Sequence, residues 1–529
     1  LANSCVSYRS PPNTSATFCQ SLAMRWFVDC IANHPKCRDI RSPHNWLPTR
    51  LIDVGLAGSL QPPRLISTIG LNHNYTPSYV TLTHRWASNH VVKLKTSNLG
   101  SFMERIPGEN LSQTFIDSIE FTRSLGVRYI WIDSLCILQD SSEDWQAEAL
   151  QMDSVYRNSI CNIAATGSSD SGGGLFQDRD EAWVIPEEVE IQYRGHNRVY
   201  LASLQSLWGK WVSRSSLNRR GWVFQERLLS PRTLHFSSQL FWECRTLQAC
   251  ETFPGGMPES EQHYEDLEGA VYPISQKDWL DPSRSLGNWC SLVEIYGRCS
   301  ITKPEDRLIA IAGVAKSWQP LLDDMYLAGL WTKDLPWNLV WSLANVEGDL
   351  TVPTSYRCPS WSWASLDYNS ALINDLLIDE SSRISPLVTI GQPFLEPLGT
   401  DLFGALRTGY LSLTGQIGEL FHITHNSHEG DWINGCYSYE ILIDVASRRI
   451  DHMSIRCMPL FAWLNGAGHT IIECLLLQPA GKGVSSYIRT GLLKVSVDLK
   501  DTLPEEIKWV PEAFLLNQNL AVLHTIFLY

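Results

Sequence analysis

The hydrophobic pattern of one part of the chain switches between strand and helix periods. Ser78–Trp86 alternates β-branched with polar residues and predicts a strand. Ser112–Gly126 starts at a Ser cap, ends at a Gly and has apolar residues at helical spacing, which predicts a helix. Val127–Leu138 is a nearly continuous apolar run, typical of a buried parallel strand, and Asp144–Ser159 has the acidic first turn and apolar face of a second helix. A further strand in ICNIAATG completes an order that predicts an open α/β unit with a parallel sheet.

Changes in this pattern divide the chain into four predicted segments. Residues 78–183 hold the α/β core, and the Cys- and aromatic-rich residues 1–77 are expected to pack on it. Residues 184–368 continue the core as an α+β body, in which Arg232–Cys244 predicts a hairpin. Short alternating runs across residues 369–529 predict a β-rich C-terminal region. The predicted fold class is therefore α/β with an α+β body and a β-rich end.

Charge and composition exclude several function classes. The chain has 42 Lys+Arg against 56 Asp+Glu, a formal charge of −14, and no basic run longer than Arg219-Arg220. We therefore expect no nucleic-acid binding, which depends on clustered cations. No stretch of 18 uninterrupted apolar residues occurs, so no membrane span is expected. Fourteen Cys without a signal-peptide pattern predict reduced thiols and a cytoplasmic, intracellular location.

The 21 Trp residues are unusually many. Trp361 and Trp363 lie in Cys358–Asp367, which we expect to be extended with both rings on one face. Such residues are core by default, and an aromatic-walled pocket is the alternative. The chain has no GxxxxGK[ST], GxGxxG, HExxH, GxSxG or CxxC motif. Any catalytic residues must therefore lie outside these common sequence motifs.

Several sequence blocks together resemble a known family. Three blocks look like the heterokaryon incompatibility (HET) domain of filamentous fungi: SYVTLTHRWA, TFIDSIEFTRSLGVRYIWIDSLCILQD and SGGGLF. Three later blocks are similar to the segments that follow this domain in its stand-alone members: RRGWVFQERLLS, EDRLIAIAGVA and PSWSWASLD. The N-terminal WFVDCIANHPKCR and LPTRLIDV also fit, so the resemblance spans about residues 26 to 367. It implies a TIR- or flavodoxin-like sheet and a role in non-self recognition and cell death. It also implies either NAD cleavage, as in some TIR domains, or a place in secondary metabolism. One departure is Trp86-Ala87, where the family usually has Trp-Gly.

Polar residues at the predicted strand ends form the candidate site, because ligands of open α/β sheets bind beyond the carboxyl ends of the strands. His84 is a candidate acid/base, Arg85 a candidate anion clamp, and Asp133 a candidate base or ribose acceptor. The alternative is structural, with Arg85 paired to Asp133 or Asp140 and His84 hydrogen-bonded to a loop carbonyl. Three further residues at these ends are candidate ligand contacts: Trp86, Ser134 and Ser168.

Glu148 is the second candidate carboxylate. The TIR resemblance implies one carboxylate that stabilises a ribosyl cation, and Glu148 is our candidate for it. Its alternative roles are to complement the helix dipole or to pair with Arg157.

The segment RRGWVFQERLLS carries charges within an apolar stretch. The structural interpretation is a clamp in which Arg227 or Arg232 pairs with Glu226. In the functional interpretation, Arg220 and Glu226 complete the ligand pocket.

Cys30, His34 and Cys37 have a spacing that places them on one face of a helix. They could ligate zinc if Cys19 or Cys5 supplied a fourth ligand, but we expect buried thiols beside a capping His and no metal site.

These observations leave three hypotheses about function. The first is a cell-death effector that cleaves NAD in a pocket formed by His84, Arg85, Asp133 and Glu148. The second is a cofactor-independent biosynthetic enzyme, of cyclase or dehydratase type, that uses the same pocket for acid/base catalysis. The third is a non-catalytic interaction module. A small-molecule substrate, with NAD as the candidate, and a protein partner or self-association are the expected contacts; no cofactor is assigned.

Overall fold

The computed structural model divides into two compact units, Leu1–Asp281 and Pro282–Tyr529. It describes residues 11–37, 46–59, 61–70, 77–86, 92–193, 196–203, 206–258, 285–343, 353, 355–367, 372–374, 383–419, 429–433, 437–444, 455–465, 469–483, 485–497 and 523–529. Ala87 and Cys5, which bear on the predictions above, lie outside these residues.

An eight-stranded sheet organises the first unit, in the order β10-β9-β8-β5-β3-β4-β1-β2. Its strands are β1 (Arg50–Asp53), β2 (Arg64–Ser67), β3 (Tyr79–Thr83), β4 (Tyr129–Trp131), β5 (Cys161–Ala164), β8 (Arg232–Phe236), β9 (Leu240–Cys244) and β10 (Gln248–Cys250). A separate hairpin consists of β6 (Glu187–Tyr193) and β7 (His196–Ala202).

The sheet is parallel at its centre and antiparallel at both edges. Strands β8, β5, β3 and β4 run parallel to one another, while β1 and β2 on one side and β9 and β10 on the other pair antiparallel. Every residue of β3 and β5 is buried, as expected for central strands covered on both faces. The α/β class with parallel strands is confirmed, but the sheet is mixed rather than wholly parallel.

Seven α-helices are described in the first unit. They are α1 (Thr17–Asn33), α2 (Leu99–Glu104), α3 (Gln113–Ser124), α4 (Asp133–Cys136), α5 (Ser142–Ala149), α6 (Met152–Asn158) and α7 (Gly221–Leu229). Short 3₁₀ turns occupy Pro35–Cys37, Gly108–Asn110 and Glu181–Trp183, and a π-helical turn occupies Gly209–Ser213.

Two predicted elements are wrong in their bounds. The apolar run Val127–Leu138 is not one strand: β4 ends at Trp131, and α4 begins at Asp133, whose carboxylate accepts the Ser134 N–H in the first turn. The predicted helix Asp144–Ser159 is two helices, because the Gln151 N–H bonds to the Glu148 carbonyl in a tight turn instead of continuing α5. Periodicity alone hides both breaks, since apolar residues continue across them.

Helix α1 buries an apolar stripe. Its buried residues recur at helical spacing and are Cys19, Leu22, Ala23, Trp26, Phe27 and Cys30. The Trp26 ring stacks on Trp242 of β9 with centroids 6.4 Å apart, and its indole N–H donates to the Pro254 carbonyl at 2.8 Å. Helix α1 ends at Asn33, so His34 and Cys37 do not lie on the helix, contrary to the prediction.

The described part of the second unit has two α-helices, α8 (Ser285–Gly297) and α9 (Ile309–Leu322), and 3₁₀ turns at Pro304–Asp306, Thr332–Asp334, Trp337–Leu339 and Trp363–Ser365. Two small hairpins pair β11 (Tyr326–Leu327) with β12 (Leu330–Trp331) and β13 (Trp341–Leu343) with β14 (Leu372–Asn374). An eleven-stranded sheet contains β15 (Arg383–Pro386), β16 (Thr389–Ile390), β17 (Phe394–Pro397), β18 (Leu406–Gly415), β19 (Gly418–Glu419), β20 (Glu429–Ile433), β21 (Tyr437–Ile443), β22 (Arg456–Leu464), β23 (Thr470–Pro479), β24 (Ser486–Val497) and β25 (His524–Leu528).

Buried Trp residues fill the core of this second unit. The indole N–H groups of Trp289 and Trp363 both donate to the Gly329 carbonyl, each at 3.1 Å. The segment around Trp361 and Trp363 is a 3₁₀ turn rather than an extended strand, because the Ser362 hydroxyl accepts the Ala364 N–H and caps the turn. Both rings are nonetheless buried, as their apolar area predicts.

None of the helices that the structure describes combines the length and the apolar character that crossing a lipid bilayer requires.

Candidate functional site at the carboxyl edge of the first sheet

The predicted strand ends do meet at one edge of the sheet. Strands β3 and β4 are parallel, so the residues after Thr83 and Trp131 leave the sheet at the same edge. Strand β1 is antiparallel to β4, with Ile52 opposite Ile130, so its first residue, Arg50, also lies toward this edge. This edge is where ligands bind in open α/β sheets.

His84 and Asp133 lie next to each other at this edge. The His84 Nδ1 is 3.9 Å from the Asp133 Oδ1, and the imidazole packs edge-on against Phe115 at 5.0 Å between centroids. Burial lowers the pKa of His84; the Asp133 carboxylate opposes this effect and the Arg220 guanidinium adds to it. His84 is therefore neutral near pH 7, and its buried Nε2 has no hydrogen-bond partner among the described residues.

The Asp133 carboxylate is held in a fixed orientation but remains accessible. The Trp86 indole N–H donates to its Oδ2 at 2.9 Å, and the Ser134 N–H donates to its Oδ1 at 2.6 Å. Its side chain is 27% exposed, whereas that of His84 is 1% exposed. A ligand at this edge can therefore reach an oriented carboxylate without any rearrangement of the core.

Glu226 brings a second carboxyl group to the site from α7. The Thr83 hydroxyl donates to its Oε2 at 2.6 Å, and the Tyr156 hydroxyl also hydrogen-bonds to it. Burial raises the pKa of Glu226 to about 7; the Thr83 hydrogen bond opposes the rise and the negative charge of Asp133 adds to it. Near neutral pH this group can therefore exchange a proton.

The predicted clamp around Glu226 is wrong. Arg227 instead forms a bidentate pair with Glu243, at 2.6 and 3.1 Å, and Arg232 binds the Cys30 sulfur and backbone carbonyls. Glu226 faces the strand end because it lies on a different side of α7 from the neighbouring Arg227.

Two arginines approach the same edge. The Arg220 guanidinium donates to the His84 carbonyl at 2.7 Å. Arg85 is half-buried and makes no hydrogen bond or ion pair with any residue that the structure describes. Its predicted structural pairing with Asp133 or Asp140 is not formed, since the Asp140 carboxylate accepts the Thr96 N–H at 2.9 Å. Among the described residues, Arg85 is thus a cation without an anionic partner.

Glu148 lies beside Arg50 at this edge and does not pair with His84 or Asp133. Its Oε1 is 3.8 Å from the Arg50 Nη1, and Arg50 also forms a bidentate ion pair with Asp144. Burial raises the pKa of Glu148, and hydrogen bonding by Thr49 opposes the rise. Within the described part of the chain Glu148 makes no hydrogen bond or ion pair with His84 or Asp133. The alternative pairing of Glu148 with Arg157 is wrong, because Arg157 lies 3.9 Å from Asp153.

The remaining predicted contacts divide between the site and the loop beside it. The Lys93 ammonium lies 4.8 Å from the centroid of the Trp86 ring. The Ser134 hydroxyl is buried and has no hydrogen-bond partner among the described residues. The Ser168 hydroxyl donates to the Gly174 carbonyl and accepts from the Gln177 amide at 3.4 Å, so it holds the Gly-rich loop closed.

Sequence reasoning missed Thr83 and Tyr156, the two hydroxyl groups that hydrogen-bond to Glu226. Thr83 is the last residue of an alternating strand, and its position at the strand end was the available signal. Tyr156 belongs to the apolar face of a helix, and nothing in the sequence separates it from a core residue.

A second group of side chains, which have metal-ligating atoms, lies at the end of α1. Cys30, His34, Cys37 and Cys244 have ligand atoms that all lie within 4.8 Å of one another. The fourth member is Cys244 of β9 and not Cys19, whose thiol donates to Glu251 at 3.3 Å.

Part of the chain matches a model of a known protein family. Residues 79–226 match the family model described as heterokaryon incompatibility protein (HET). The matched segment starts at the first residue of β3 and ends at Glu226, so it contains His84, Asp133 and Arg220. No curated protein and no solved structure is similar enough to this chain to be matched.

Proposed function

We propose that this chain, which carries a heterokaryon incompatibility (HET) domain at residues 79–226, is an effector of fungal non-self recognition that cleaves NAD at the carboxyl edge of its first sheet. The observation that carries the proposal is the Asp133 carboxylate, which is 27% exposed and is oriented by the Trp86 indole. An accessible, fixed carboxylate and Arg85, which follows β3 at the same edge of the sheet and which no described residue pairs, match a substrate that has both a cationic reacting centre and phosphates.

Asp133 would act on the ribose attached to nicotinamide. As the bond between ribose C1′ and the nicotinamide nitrogen breaks, positive charge develops on the sugar, and a preorganised carboxylate stabilises it. Water then adds to C1′ and releases one proton, so that NAD and water give nicotinamide, ADP-ribose and a proton. The fixed hydrogen bonds from Trp86 and Ser134 keep the carboxylate in place during this step.

The neighbouring residues have separate tasks in this proposal. Arg85 binds the diphosphate, for which a guanidinium offers paired N–H donors. The half-buried Trp86 has the Lys93 ammonium 4.8 Å from the centroid of its ring, so its other face is the one left for a base of the substrate. Glu226, with a pKa raised to about 7 by burial, accepts the proton released by water.

The same Glu226 favours the second candidate function, a cofactor-independent biosynthetic enzyme. A carboxyl group that titrates near the working pH is suited to general acid/base catalysis in a cyclisation or dehydration. In that enzyme Glu226 would be the essential residue, and Asp133 would only bind the substrate.

The test is incubation of the purified chain with NAD, followed by chromatography of nicotinamide and ADP-ribose. We expect release by the wild type and loss of release, by about a hundredfold or more, in Asp133→Asn. Asp140→Asn is the matched control, because it makes the same chemical change at a carboxylate that binds the Thr96 backbone instead of facing the site.

Two results would overturn the proposal. The first is a folded wild-type chain that releases no nicotinamide, which leaves the biosynthetic enzyme and the non-catalytic module. The second is equal release by Asp133→Asn and Asp140→Asn. Glu148→Gln separates the roles of the two candidate carboxylates, and we expect it to retain release as long as the Arg50–Asp144 pair keeps the fold.

A further inference from the structure

Four metal-ligating side chains converge where α1 meets the end of β9. Cys30 is in the last turn of α1, His34 directly follows the helix, and Cys37 lies in the next 3₁₀ turn. Cys244 is the last residue of β9. We propose that these four residues bind one zinc ion, which joins segments that are 210 residues apart in sequence.

The distances fit tetrahedral coordination. With Zn–S bonds of about 2.3 Å, ligand atoms of a tetrahedral site lie about 3.8 Å apart. The four ligand atoms here all lie within 4.8 Å of one another, and the Cys244 Sγ is 3.4 Å from the His34 Nδ1. Ordinary side-chain rotations are therefore enough to close the site on an ion.

Groups around the four ligands are placed to orient them toward an ion. The His34 Nε2 faces the Asp29 carboxylate at 3.8 Å, which leaves Nδ1 for the metal. The Leu247 N–H donates to the Cys244 sulfur at 3.3 Å. The Leu247 hydrogen bond fixes the position of the Cys244 sulfur and stabilises its thiolate.

The local charge also fits zinc. Three thiolates and Zn²⁺ carry a net charge of −1, and the Arg232 guanidinium donates to the Cys30 sulfur at 3.3 Å. Arg232 is 3% exposed, and in the described part of the chain its other hydrogen bonds go to the carbonyls of Ile160 and Cys37, with no carboxylate. A buried guanidinium needs a compensating anion, and the zinc–thiolate centre supplies one.

The ligand set selects the metal and its role. Three Cys and one His form a closed zinc site with no open position, which is the structural rather than the catalytic kind, while cubane iron–sulfur clusters use four Cys. The ion would hold the end of α1 against the edge of the sheet. The proposal is independent of the activity proposed for the carboxyl edge.

The experiment measures metal in the full chain, purified under reducing conditions without added metal. Elemental analysis is expected to find one zinc per chain. After chelation and addition of Co²⁺, a visible absorption spectrum of tetrahedral thiolate-bound cobalt should appear. Cys244→Ser should lose the metal, whereas Cys19→Ser should keep it, because Cys19 is a buried thiol of the same helix that hydrogen-bonds to Glu251.

Three outcomes would overturn the proposal. They are a folded, reduced wild type without zinc that gives no cobalt spectrum, a Cys244→Ser variant with its full zinc content, and a disulfide among the three thiols in the protein purified with reductant. Because Cys244→Ser could fail to fold, the wild-type zinc content and cobalt spectrum decide the question on their own.

Discussion

Replacement of Glu226 by Gln should make the stability of the first unit depend less on pH. Burial raises the pKa of this carboxyl from 4.5 to about 7 in the folded protein. Between these values the folded state binds more protons than the unfolded state, so stability falls as pH rises. One pKa unit corresponds to about 1.36 kcal/mol. The rise from 4.5 to about 7 therefore means that ionising this carboxyl lowers the free energy of unfolding by about 3 kcal/mol above pH 7. Of this, about 2 kcal/mol develops between pH 5 and pH 8.

Glu226→Gln removes that cost because the amide is neutral at every pH and its oxygen can still accept the Thr83 hydroxyl. The variant should gain about 2 kcal/mol relative to the wild type on going from pH 5 to pH 8. Hydrogen exchange of peptides that cover β3 and α7, corrected for the intrinsic rate at each pH, measures this difference in opening free energy.

Glu243→Gln is the matched control, because the pKa of Glu243 is shifted in the opposite direction to that of Glu226. Glu243 is also buried, but Arg227 and hydrogen bonding by His235 overcome the effect of burial and lower its pKa to about 2. Its contribution to stability is complete above about pH 4.5 and is lost as pH falls toward 2. The variant should therefore be destabilised by a constant amount between pH 5 and pH 8. An equal pH dependence for both variants, or none for Glu226→Gln, would refute the reasoning.

Three further changes test other parts of the structure. Arg489 donates to Asp444 at 2.9 and 3.1 Å, and Asp444→Asn leaves this guanidinium buried beside a neutral side chain. Urea unfolding should show that the free energy of unfolding falls by about 3 kcal/mol. A fall of less than about 1 kcal/mol would contradict this prediction. Gly329→Ala places a Cβ 2.5 Å from the Trp363 indole nitrogen, at a residue whose φ is +101°. It should lower the melting temperature far more than Gly481→Ala, because Gly481 also has a positive φ but no atom lies within 4 Å of the added Cβ. Trp86→Phe keeps a ring but loses the 2.9 Å bond to Asp133; nicotinamide release should fall about tenfold at unchanged melting temperature, and unchanged release would contradict it.

Local pattern predicted the central elements of the first sheet. Strand β3 and helix α3 lie within a few residues of the predicted segments, because their periodicity and end residues agree with their burial. The break at Asp133 was not predictable from hydrophobicity, since Leu135 and Cys136 are as deeply buried in a helix as they would be in a strand. The edge strands β1, β2, β9 and β10 pair antiparallel, and this depends on long-range packing that no local window contains.

The candidate site divides in the same way. His84 and Asp133 follow strands that were predicted, so their proximity followed from topology. The partners of Glu226 and the pairing of Glu148 with Arg50 depend on how α7 and α5 pack against the sheet. Cys244 lies near Cys30 only in the folded sheet, so the sequence offers three candidate zinc ligands but does not identify the fourth.

The most direct test of the proposed activity is the rate of nicotinamide release from NAD by the wild type, Asp133→Asn and Asp140→Asn at matched concentration and with matched melting temperatures. We expect release by the wild type and by Asp140→Asn, and loss of release in Asp133→Asn. Absence of release by the folded wild type, or release by Asp133→Asn at the wild-type rate, would contradict the claim that the carboxyl edge is a site of NAD cleavage.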